Sequence, residues 1–403
     1  MPSTRTVIIA GAGIAGLTAA LALARNGFRV IVLEQAERLE ETGAGIQLSP
    51  NATRTLIDLG LGERLRSHVV APEGLRVLTA KSGREIVRMP LGEAAAQRYG
   101  APYWSIHRGD LQAALAAAVA ENLDISLRLG MRVEDFVALD DGVTVSARGR
   151  GGIWHERGDA LIAADGLWSV ARARMGFREP PRFARRTAWR ALVPVDRVAP
   201  EFRAPLIHLW LGSNAHLVHY PVKSGRLINI VAITGDDWQA TGWSAPGSRA
   251  ELVSHLSTEQ WAPQALALIN LQDAWLKWAL YDRKALWSWS DGPVALLGDA
   301  AHPMLPYLAQ GAAMAIEDAA VAAQCLARMP DNAAEALRAY CAVRRARARK
   351  VQRLAARNGR LYHRAAVVGT ARNMAMRLLG GARLLQHYDW LYDWRPPAAL
   401  SIT

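Results

Sequence analysis

Residues 6–16 read TVIIAGAGIAG, and this stretch decides how the chain begins to fold. Thr6–Ala10 has the apolar, β-branched composition of a buried strand, and residues 14–26 have that of a helix. The three glycines therefore fall in the turn between a strand and a helix. At this spacing the first glycine makes the turn, the second leaves room for a pyrophosphate, and the third lets the helix pack closely on the strand.

The next segment supplies the acidic residue that such a turn requires. Arg29–Glu34 predicts a second strand, which completes a βαβ unit. Glu34 ends that strand, and its carboxylate can accept hydrogen bonds from ribose hydroxyls but disfavours a 2′-phosphate. FAD or NAD therefore fits this turn better than NADP. A tight turn without a ligand is the alternative, but strand, helix and acid all agree with a dinucleotide site.

Charge and cysteine content limit the class of protein. The 403 residues carry 48 Lys and Arg against 36 Asp and Glu, and thirteen of the basic residues occupy 338–383 without a single acidic one. The length predicts two packed units. Two cysteines, Cys325 and Cys341, argue against a disulfide scaffold and favour a cytoplasmic protein. The uncharged stretch Val7–Ala24 is interrupted by glycines, so we expect neither a signal peptide nor a membrane contact.

Two later turns each place an aspartate after an apolar strand. Residues 163–172 read AADGLWSVAR, and residues 296–303 read LLGDAAHP. An ordinary Asp-Gly turn is the simplest explanation of either one alone. Further on, Gln310-Gly311-Ala312 opens a predicted helix whose backbone N–H groups could face an anion. Their order after the glycine turn indicates one ligand that is held at several points.

These motifs resemble the single-component FAD-dependent aromatic hydroxylases of the p-hydroxybenzoate hydroxylase fold. That family combines a glycine loop, a DG segment and a GD segment. Residues 42–52 (TGAGIQLSPNA) and 305–318 (LPYLAQGAAMAIED) are similar to its salicylate hydroxylase and 3-hydroxybenzoate 6-hydroxylase branch. The resemblance covers roughly residues 5–365.

The resemblance and the hydrophobic pattern together predict an α/β fold with three parts. They are a discontinuous Rossmann-type FAD-binding domain (1–72, 100–178 and 285–330), a mostly antiparallel β-sheet substrate domain (73–99 and 179–284) and a C-terminal helical segment (331–403). Period-two patterning between 188 and 234 predicts four of the strands. The segments 74–89 and 142–156 each predict a β-hairpin. Nine of the fourteen tryptophans fall in 189–289, which indicates an aromatic-lined pocket.

The resemblance also implies which residues contact FAD. They are Gly11, Gly13, Ala15, Gly16, Glu34, Gln47, Arg108, Asp165, Gly298, Asp299, Pro303, Gly311 and Ala312. Asp299 would hold a ribityl hydroxyl, and the helix that begins near Gly311 would point its N-terminus at the pyrimidine edge of the flavin, where reduced flavin is negatively charged. Asp165 would support both the flavin and the transient nicotinamide. Arg108 has a simpler alternative, a surface arginine at a helix end.

Candidate substrate residues lie in the predicted strand around residue 218. His216 and Tyr220 share one face of that strand, and His219 takes the other. The 3-hydroxybenzoate branch has an active-site His and Tyr at this spacing, so the resemblance implies that His216 accepts the phenol proton and that Tyr220 hydrogen-bonds the substrate. Gln310 is predicted as a further contact between substrate and flavin. A satisfied sheet histidine is the alternative for His216, and Arg190 is one possible partner of a substrate carboxylate.

Two other site classes are not favoured. His208 lies near His216 and His219, but no Asp, Glu or Cys in that segment completes a metal site, so no metal is expected. The basic stretch 344–350 (RRARARK) predicts a solvated helical face rather than a nucleic-acid contact, because few aromatic residues interleave with the arginines.

We therefore expect a cytoplasmic FAD-dependent monooxygenase, monomeric or homodimeric, that hydroxylates a small phenolic or heteroaromatic acid of the salicylate or hydroxybenzoate kind. The resemblance implies NADH or NADPH as cosubstrate and O2 activation through a flavin C4a-hydroperoxide. One alternative is a related flavin monooxygenase that acts on another electron-rich ring, such as a purine, a fused polycycle or a quinone precursor. Another is an NAD-binding regulator that contacts nucleic acid through the basic segment.

Overall fold

The computed structural model describes residues 5–39, 44–239, 244–256, 260–364 and 366–397, so Thr42 and Gly43 of the 42–52 stretch lie outside the described residues. The strands are β1 (Thr6–Ala10), β2 (Arg29–Glu34), β3 (Gly45–Leu48), β4 (Gly74–Thr79), β5 (Glu85–Pro90), β6 (Trp104–His107), β7 (Ile125–Leu129), β8 (Arg132–Leu139), β9 (Gly142–Gly149), β10 (Gly152–Gly158), β11 (Ala160–Ala163), β12 (Arg182–Pro194), β13 (Leu206–Leu211), β14 (Ala215–Val222), β15 (Leu227–Gly235), β16 (Ala245–Ser248), β17 (Ala274–Asp282), β18 (Ser290–Asp291) and β19 (Val294–Leu296). The helices are α1 (Ile14–Arg25), α2 (Pro50–Asp58), α3 (Gly62–Arg66), α4 (Gly92–Tyr99), α5 (Arg108–Ala120), α6 (Val170–Arg174), α7 (Arg249–Leu256), α8 (Pro263–Ile269), α9 (Gly311–Arg328), α10 (Ala333–Tyr362), α11 (Ala366–Gln386) and α12 (Asp389–Tyr392).

A six-stranded sheet forms the nucleotide-binding layer, in the order β18-β19-β11-β1-β2-β7. All neighbouring pairs are parallel except β18 and β19. Val7, Ile8 and Ile9 of the central strand β1 have no exposed surface, because the sheet is covered on both faces. The predicted Rossmann-type layer is confirmed, with β1, α1 and β2 within one residue of their expected bounds.

An eight-stranded sheet forms the second layer, in the order β16-β17-β12-β15-β14-β13-β4-β5. Its pairs are antiparallel apart from β13 with β4, so the expected mostly antiparallel sheet is confirmed. The sequence predicted β12 to β15 and the β4–β5 hairpin but missed β16 and β17. In β17 the pattern is mixed, since Trp275 and Lys277 are both buried on one side of the strand.

A small sheet in the order β10-β9-β8 lies beside the first layer. The expected β9–β10 hairpin is present, and β8 is a third strand that the sequence did not predict. Of its eight residues only Val133 is buried, which explains why no alternation was visible.

The C-terminal part of the chain is helical from α9 to α12 and returns to both layers. Helix α11 lies along β5, and a Cβ at Gly381 would come 1.8 Å from the Arg88 carbonyl oxygen, so only glycine allows this backbone approach. Tyr392 follows, and its ring packs edge-on against Tyr99 and Tyr103. Over the described ranges, no helix is both long and apolar enough for a bilayer. The domain bounds given above stay a prediction.

Candidate active site

Three turns that are far apart in sequence meet at one crevice of the nucleotide layer. Gly11 has φ +99°, and a Cβ there would lie 2.7 Å from the Ala164 carbonyl oxygen and 3.4 Å from the Cα of Asp165. The glycine turn thus touches the DG segment. Gly298 has φ +62°, and its Cβ would lie 3.2 Å from the Cβ of Ala15, so the GD segment touches the start of α1. The first turn is in contact with both of the others.

The three glycines of the first turn face different surroundings. A Cβ at Gly16 would lie 1.9 Å from the Gly11 carbonyl oxygen, so this glycine is required for packing of α1 on β1. A Cβ at Gly13 would meet no protein atom within 4 Å, because Gly13 is the N-cap of α1 and faces the open crevice. The backbone can therefore approach a phosphate at Gly13, beside the N–H groups of the first helical turn.

The acidic residues of the crevice keep acceptor capacity for a ligand. Glu34 accepts the Ala12 N–H through Oε2 at 2.7 Å and the Ala36 N–H through Oε1 at 2.8 Å, and each oxygen has a second lone pair. Asp165 accepts the Ala171 N–H through Oδ2 at 3.1 Å, whereas its buried Oδ1 has no partner among the described residues. Burial raises the pKa of Asp165. Asp299 is exposed to solvent along the crevice.

Helix α9 presents its N-terminus to the same crevice. A Cβ at Gly311 would meet nothing within 4 Å, and Ala312 is half-buried. The N-cap residue Gln310 makes no side-chain cap, so the first backbone N–H groups of α9 lack an intrahelical partner. Open glycine positions at two helix N-termini and an unpaired carboxylate oxygen on Asp165 fit a dinucleotide with an anionic pyrophosphate and a negatively polarised ring edge.

The remaining predicted cofactor residues lie around this crevice. Arg108 is the first residue of α5 and is half-buried, and its charge acts on Asp299 and on Arg190. Its contact with FAD stays a prediction. Pro303 is buried, and its carbonyl accepts the Gln352 amide at 2.9 Å.

An aromatic cavity of about 100 Å³ lies between the second sheet, the segment before α9 and the C-terminal helices. Its lining residues are Gln47, Leu75, Met89, Leu91, Tyr103, Ile207, Leu209, His216, Val218, Pro306, Tyr307, Leu308, Ala309, Tyr362, Tyr388 and Tyr392. Five of them are tyrosines, and no Lys or Arg is among them. Three of the tyrosines come from residues beyond 360, which sequence reasoning had not assigned to the pocket.

His216 lies in the wall of this cavity and is buried. Its Nδ1 lies 2.8 Å from Nε2 of His363, and its ring centroid lies 5.6 Å from those of Tyr307 and Tyr362. Burial, with a smaller contribution from the charge of Arg186, lowers the pKa of His216 to about 3. The imidazole is therefore neutral and remains able to accept a hydrogen bond.

The predicted face pattern of β14 is confirmed. His219 lies on the opposite face from His216, where it stacks on His208 with ring centroids 4.3 Å apart. Tyr220 shares the face of His216 but does not line the cavity itself. Its hydroxyl hydrogen-bonds Gln47, and Oε1 of Gln47 accepts the hydroxyl of Tyr103 at 2.7 Å, so Gln47 joins Tyr220 to the cavity wall. The described residues contain no cluster of three or more His, Cys, Asp or Glu that could hold a metal ion.

Gln310 does not reach the cavity. Its amide donates to Ser49 Oγ at 2.8 Å and accepts from Asn51 at 3.3 Å, inside a buried network that continues to Glu317. The structure therefore does not bring Gln310 to the cavity that His216 lines. These bonds fix the Gln310 side chain at the start of α9, and its contact with substrate and flavin stays a prediction.

The basic helix α10 corrects another expectation. Arg344 has no exposed surface, and its guanidinium forms ion pairs with Glu317 and Asp318 of α9. Arg347 also pairs with Glu317 and is only partly exposed. The interpretation of 344–350 as a wholly solvated face is wrong for these two arginines, because helical periodicity turns them inward.

Comparison with known proteins agrees with this geometry. A family model described as an FAD binding domain matches residues 4–355. The chain is also 37% identical, over 393 residues and 96% of each chain, to 3-hydroxybenzoate 6-hydroxylase 1 of Aquipseudomonas alcaligenes. The chain belongs to the FAD-dependent aromatic hydroxylases. It is an FAD-dependent monooxygenase of the branch that the sequence motifs indicated, and NAD(P)H is the typical reductant of this family.

Three further proteins are similar to this chain over nearly its whole length. The 3-hydroxybenzoate 6-hydroxylase of Klebsiella oxytoca is 34% identical over 402 residues and 100% of both chains. A salicylate hydroxylase substrate complex has a TM-score of 0.81 at 26% identity and covers 98% of this chain and 97% of its own. Klebsiella pneumoniae HpxO complexed with FAD and uric acid has a TM-score of 0.84 at 27% identity and covers 96% of both chains. The alternative of an NAD-binding regulator is therefore wrong.

Proposed function

We propose that this hydroxylase acts on the ring of a small phenolic acid of the hydroxybenzoate or salicylate kind, with NAD(P)H and O2. One observation carries the proposal: the neutral imidazole of His216 faces an aromatic cavity that also touches the segment leading into α9. Relatives named 3-hydroxybenzoate 6-hydroxylase, which match nearly the whole chain, support the same substrate class.

The protein's own residues would hold the ring, exclude water and take the phenol proton. Bound FAD supplies the activation of O2. The tyrosine rings enclose a flat aromatic substrate, and His216 accepts the proton of its hydroxyl, which makes the ring more electron-rich. Burial raises the pKa of Tyr220, so its hydroxyl stays protonated and can donate a hydrogen bond.

A substrate carboxylate needs a binding partner, but the cavity wall offers it no ion pair. No Lys or Arg is among the described residues that line the cavity, and an unpaired buried charge is costly. Arg190 lies close enough to Tyr220 for its charge to act on that hydroxyl, and its buried Nε has no partner among the described residues. The guanidinium lies 4.0 Å from the ring centroid of Trp278, and burial lowers its pKa to about 10. We propose that the carboxylate binds Gln47 in the cavity wall, with Tyr220 and Arg190 behind it.

A second substrate class is a purine. It is favoured by the similarity to HpxO, whose structure was determined with uric acid, and by the absence of a cation from the cavity lining. A neutral or weakly acidic heterocycle would not require an ion pair in that wall.

The deciding experiment is a substrate panel with the purified, FAD-saturated protein. Oxidation of NADH and of NADPH is followed with 3-hydroxybenzoate, salicylate, 4-hydroxybenzoate, 6-hydroxynicotinate and uric acid, and each product is identified by mass. We expect a hydroxybenzoate to stimulate oxidation at least tenfold and to gain one oxygen. Stimulation by uric acid alone would establish the purine alternative, and no stimulation by any phenolic acid would reject the proposal.

A further inference from the structure

Two buried histidines from distant parts of the chain meet beside the cavity. His216 lies on β14, and His363 directly follows the last residue of α10. Their Nδ1 and Nε2 atoms are 2.8 Å apart, and the ring centroids are 5.0 Å apart. We propose that His363 is the second member of a proton relay that carries the substrate's phenol proton from His216 to solvent. This proposal rests on the proposed function and extends it.

In each ring, the geometry assigns one nitrogen to receive a proton and the other nitrogen to pass a proton on. Nδ1 of His216 is taken by His363, so Nε2 is the nitrogen left for the substrate. Nε2 can accept a proton only if the ring's hydrogen is on Nδ1, which then donates to Nε2 of His363. His363 must in turn carry its own hydrogen on Nδ1. The relay therefore requires the Nδ1–H tautomer in both rings before the substrate binds.

The relay conserves every proton. The phenol O–H bond breaks as Nε2–H forms on His216, and the Nδ1–H bond of His216 breaks as Nε2–H forms on His363. The Nδ1 hydrogen of His363 passes to water. The substrate is left as a phenolate, one hydronium ion leaves the protein, and both imidazoles are again neutral, in the opposite tautomer. The reverse passage resets both rings when the product phenolate takes up a proton.

The groups around His216 and His363 disfavour a protonated imidazole, so they favour transfer of a proton onward. The charged side chains whose fields act on the pair are Arg186 of β12 and Arg372 of α11, and both disfavour an imidazolium. The other titratable neighbours are the phenols of Tyr307 and Tyr362. No carboxylate among the described residues forms an ion pair with either ring. A proton that reaches the pair therefore has nothing to hold it there.

His363 lies nearer the surface than His216. It retains 9% exposure, and the following residue Arg364 is exposed, whereas His216 retains 3%. The His363 carbonyl accepts the Asn214 N–H at 3.1 Å, which ties the end of α10 to the turn before β14. The side-chain bond is not needed for that attachment.

The tautomers give a test that needs no substrate. Protein labelled with ¹⁵N-histidine is studied by NMR at neutral pH, and the resonances are assigned with His216→Gln and His363→Gln. We expect neutral rings with hydrogen on Nδ1 in both. Hydrogen on Nε2 of His216 would overturn the relay, because that nitrogen could not then accept the phenol proton.

The kinetic test compares His363→Gln with the wild type. Glutamine can accept the Nδ1–H of His216 but cannot pass a proton on. We expect phenolate formation on binding of 3-hydroxybenzoate, followed by stopped-flow absorbance, to slow at least tenfold with FAD content unchanged. In His363→Gly, added imidazole should restore the rate, which a merely structural role would not allow. The control is His155→Gln, an exposed histidine on β10 that should leave the rate unchanged.

The two proposals fail differently. If the wild type forms the phenolate and His363→Gln forms it at the same rate, the relay is rejected and the proposed function stays intact. A wild type that no phenolic acid stimulates would reject the proposed function, and the NMR tautomers would still decide whether the pair is arranged as proposed.

Discussion

At the residue scale, the crevice distinguishes glycines that pack from a glycine that faces the ligand. Gly16 has no room for a side chain because the Gly11 carbonyl oxygen would lie 1.9 Å away. Gly13 has room in the protein, but a methyl group there would project into the crevice at the N-terminus of α1. The same substitution at the two sites should therefore affect different properties.

We predict that Gly13→Ala weakens FAD binding at least tenfold while the apoprotein keeps its free energy of unfolding to within about 1 kcal/mol. Gly16→Ala should instead destabilise the apoprotein by several kcal/mol, of the order expected for overpacking. Fluorescence titration with FAD and urea unfolding measure the two effects. Wild-type FAD affinity in Gly13→Ala would contradict the assignment of Gly13 to the ligand.

His216 and His219 form a second matched pair, since they lie on opposite faces of one strand. His216→Ala should retain flavin but lose at least tenfold in coupled hydroxylation, because the phenol proton then has no acceptor. His219→Ala should lower the free energy of unfolding by about 1–3 kcal/mol and leave coupling per folded molecule unchanged. Product formed per NADH oxidised is the measurement, and equal coupling in His216→Ala and wild type would remove His216 from the mechanism.

At the element scale, α9 and α10 hold the GD turn through one buried carboxylate. Asp318 accepts the Gly298 N–H at 3.2 Å, the His302 ring at 2.5 Å and the Arg344 guanidinium at 2.7 Å. Burial alone would raise the pKa of Asp318, but the neighbouring His302 and Arg344 outweigh it and hold the pKa at about 2. Asp318 therefore fixes the turn that carries Asp299 at the crevice.

We predict that Asp318→Asn raises the dissociation constant of FAD at least tenfold and destabilises the protein by up to about 3 kcal/mol, because Arg344 loses a buried partner. The control is Asp331→Asn, which breaks an exposed pair with Arg5 and should cost less than about 1 kcal/mol. FAD titration and urea unfolding test both variants. Normal FAD affinity in Asp318→Asn would show that the turn does not depend on this carboxylate.

At the scale of the whole molecule, the C-terminal segment closes the cavity that lies on the second sheet and on the segment before α9. Tyr362, Tyr388 and Tyr392 reach the same cavity as His216.

Buried histidines also make the stability of the whole fold depend on pH. Burial lowers the pKa of His208 to about 4, of His216 to about 3 and of His363 to about 2, and lowers that of His219 as well.

We predict that stability falls as the pH drops from about 6.5 to 4. In this window the unfolded chain binds protons on these histidines and the folded protein does not, so acid favours unfolding. Each histidine that stays neutral contributes about 1.4 kcal/mol per pH unit. Asp318 also stabilises the folded protein, because its carboxyl pKa is lowered on folding. That stabilisation is lost only below about pH 4. Urea unfolding at pH 7.5, 6.5, 5.5 and 4.5 measures the slope, which should be shallower in His219→Ala; a flat profile would contradict the prediction.

Features that depend on neighbouring residues in the sequence were predicted, whereas features that depend on distant residues were not. The bounds of β1, α1 and β2 follow from local patterning, so they were predicted within one residue. The burial of Arg344 and the contact of His363 with His216 were not predicted, because each depends on a partner that only the folded chain brings near. No local pattern marks His363. Helical periodicity could have placed Arg344 on the inner face of α10, but it could not have named Asp318 as the partner.

The most direct test of the account is the product yield with 3-hydroxybenzoate. The purified protein, saturated with FAD, is mixed with limiting NADH or NADPH in air, and the dihydroxybenzoate formed is quantified against the nicotinamide oxidised. We predict close to one product molecule per nicotinamide in the wild type and at least tenfold less in His216→Ala, with flavin bound in both. Nicotinamide oxidation that no phenolic acid accelerates, or that yields no hydroxylated ring, would contradict it.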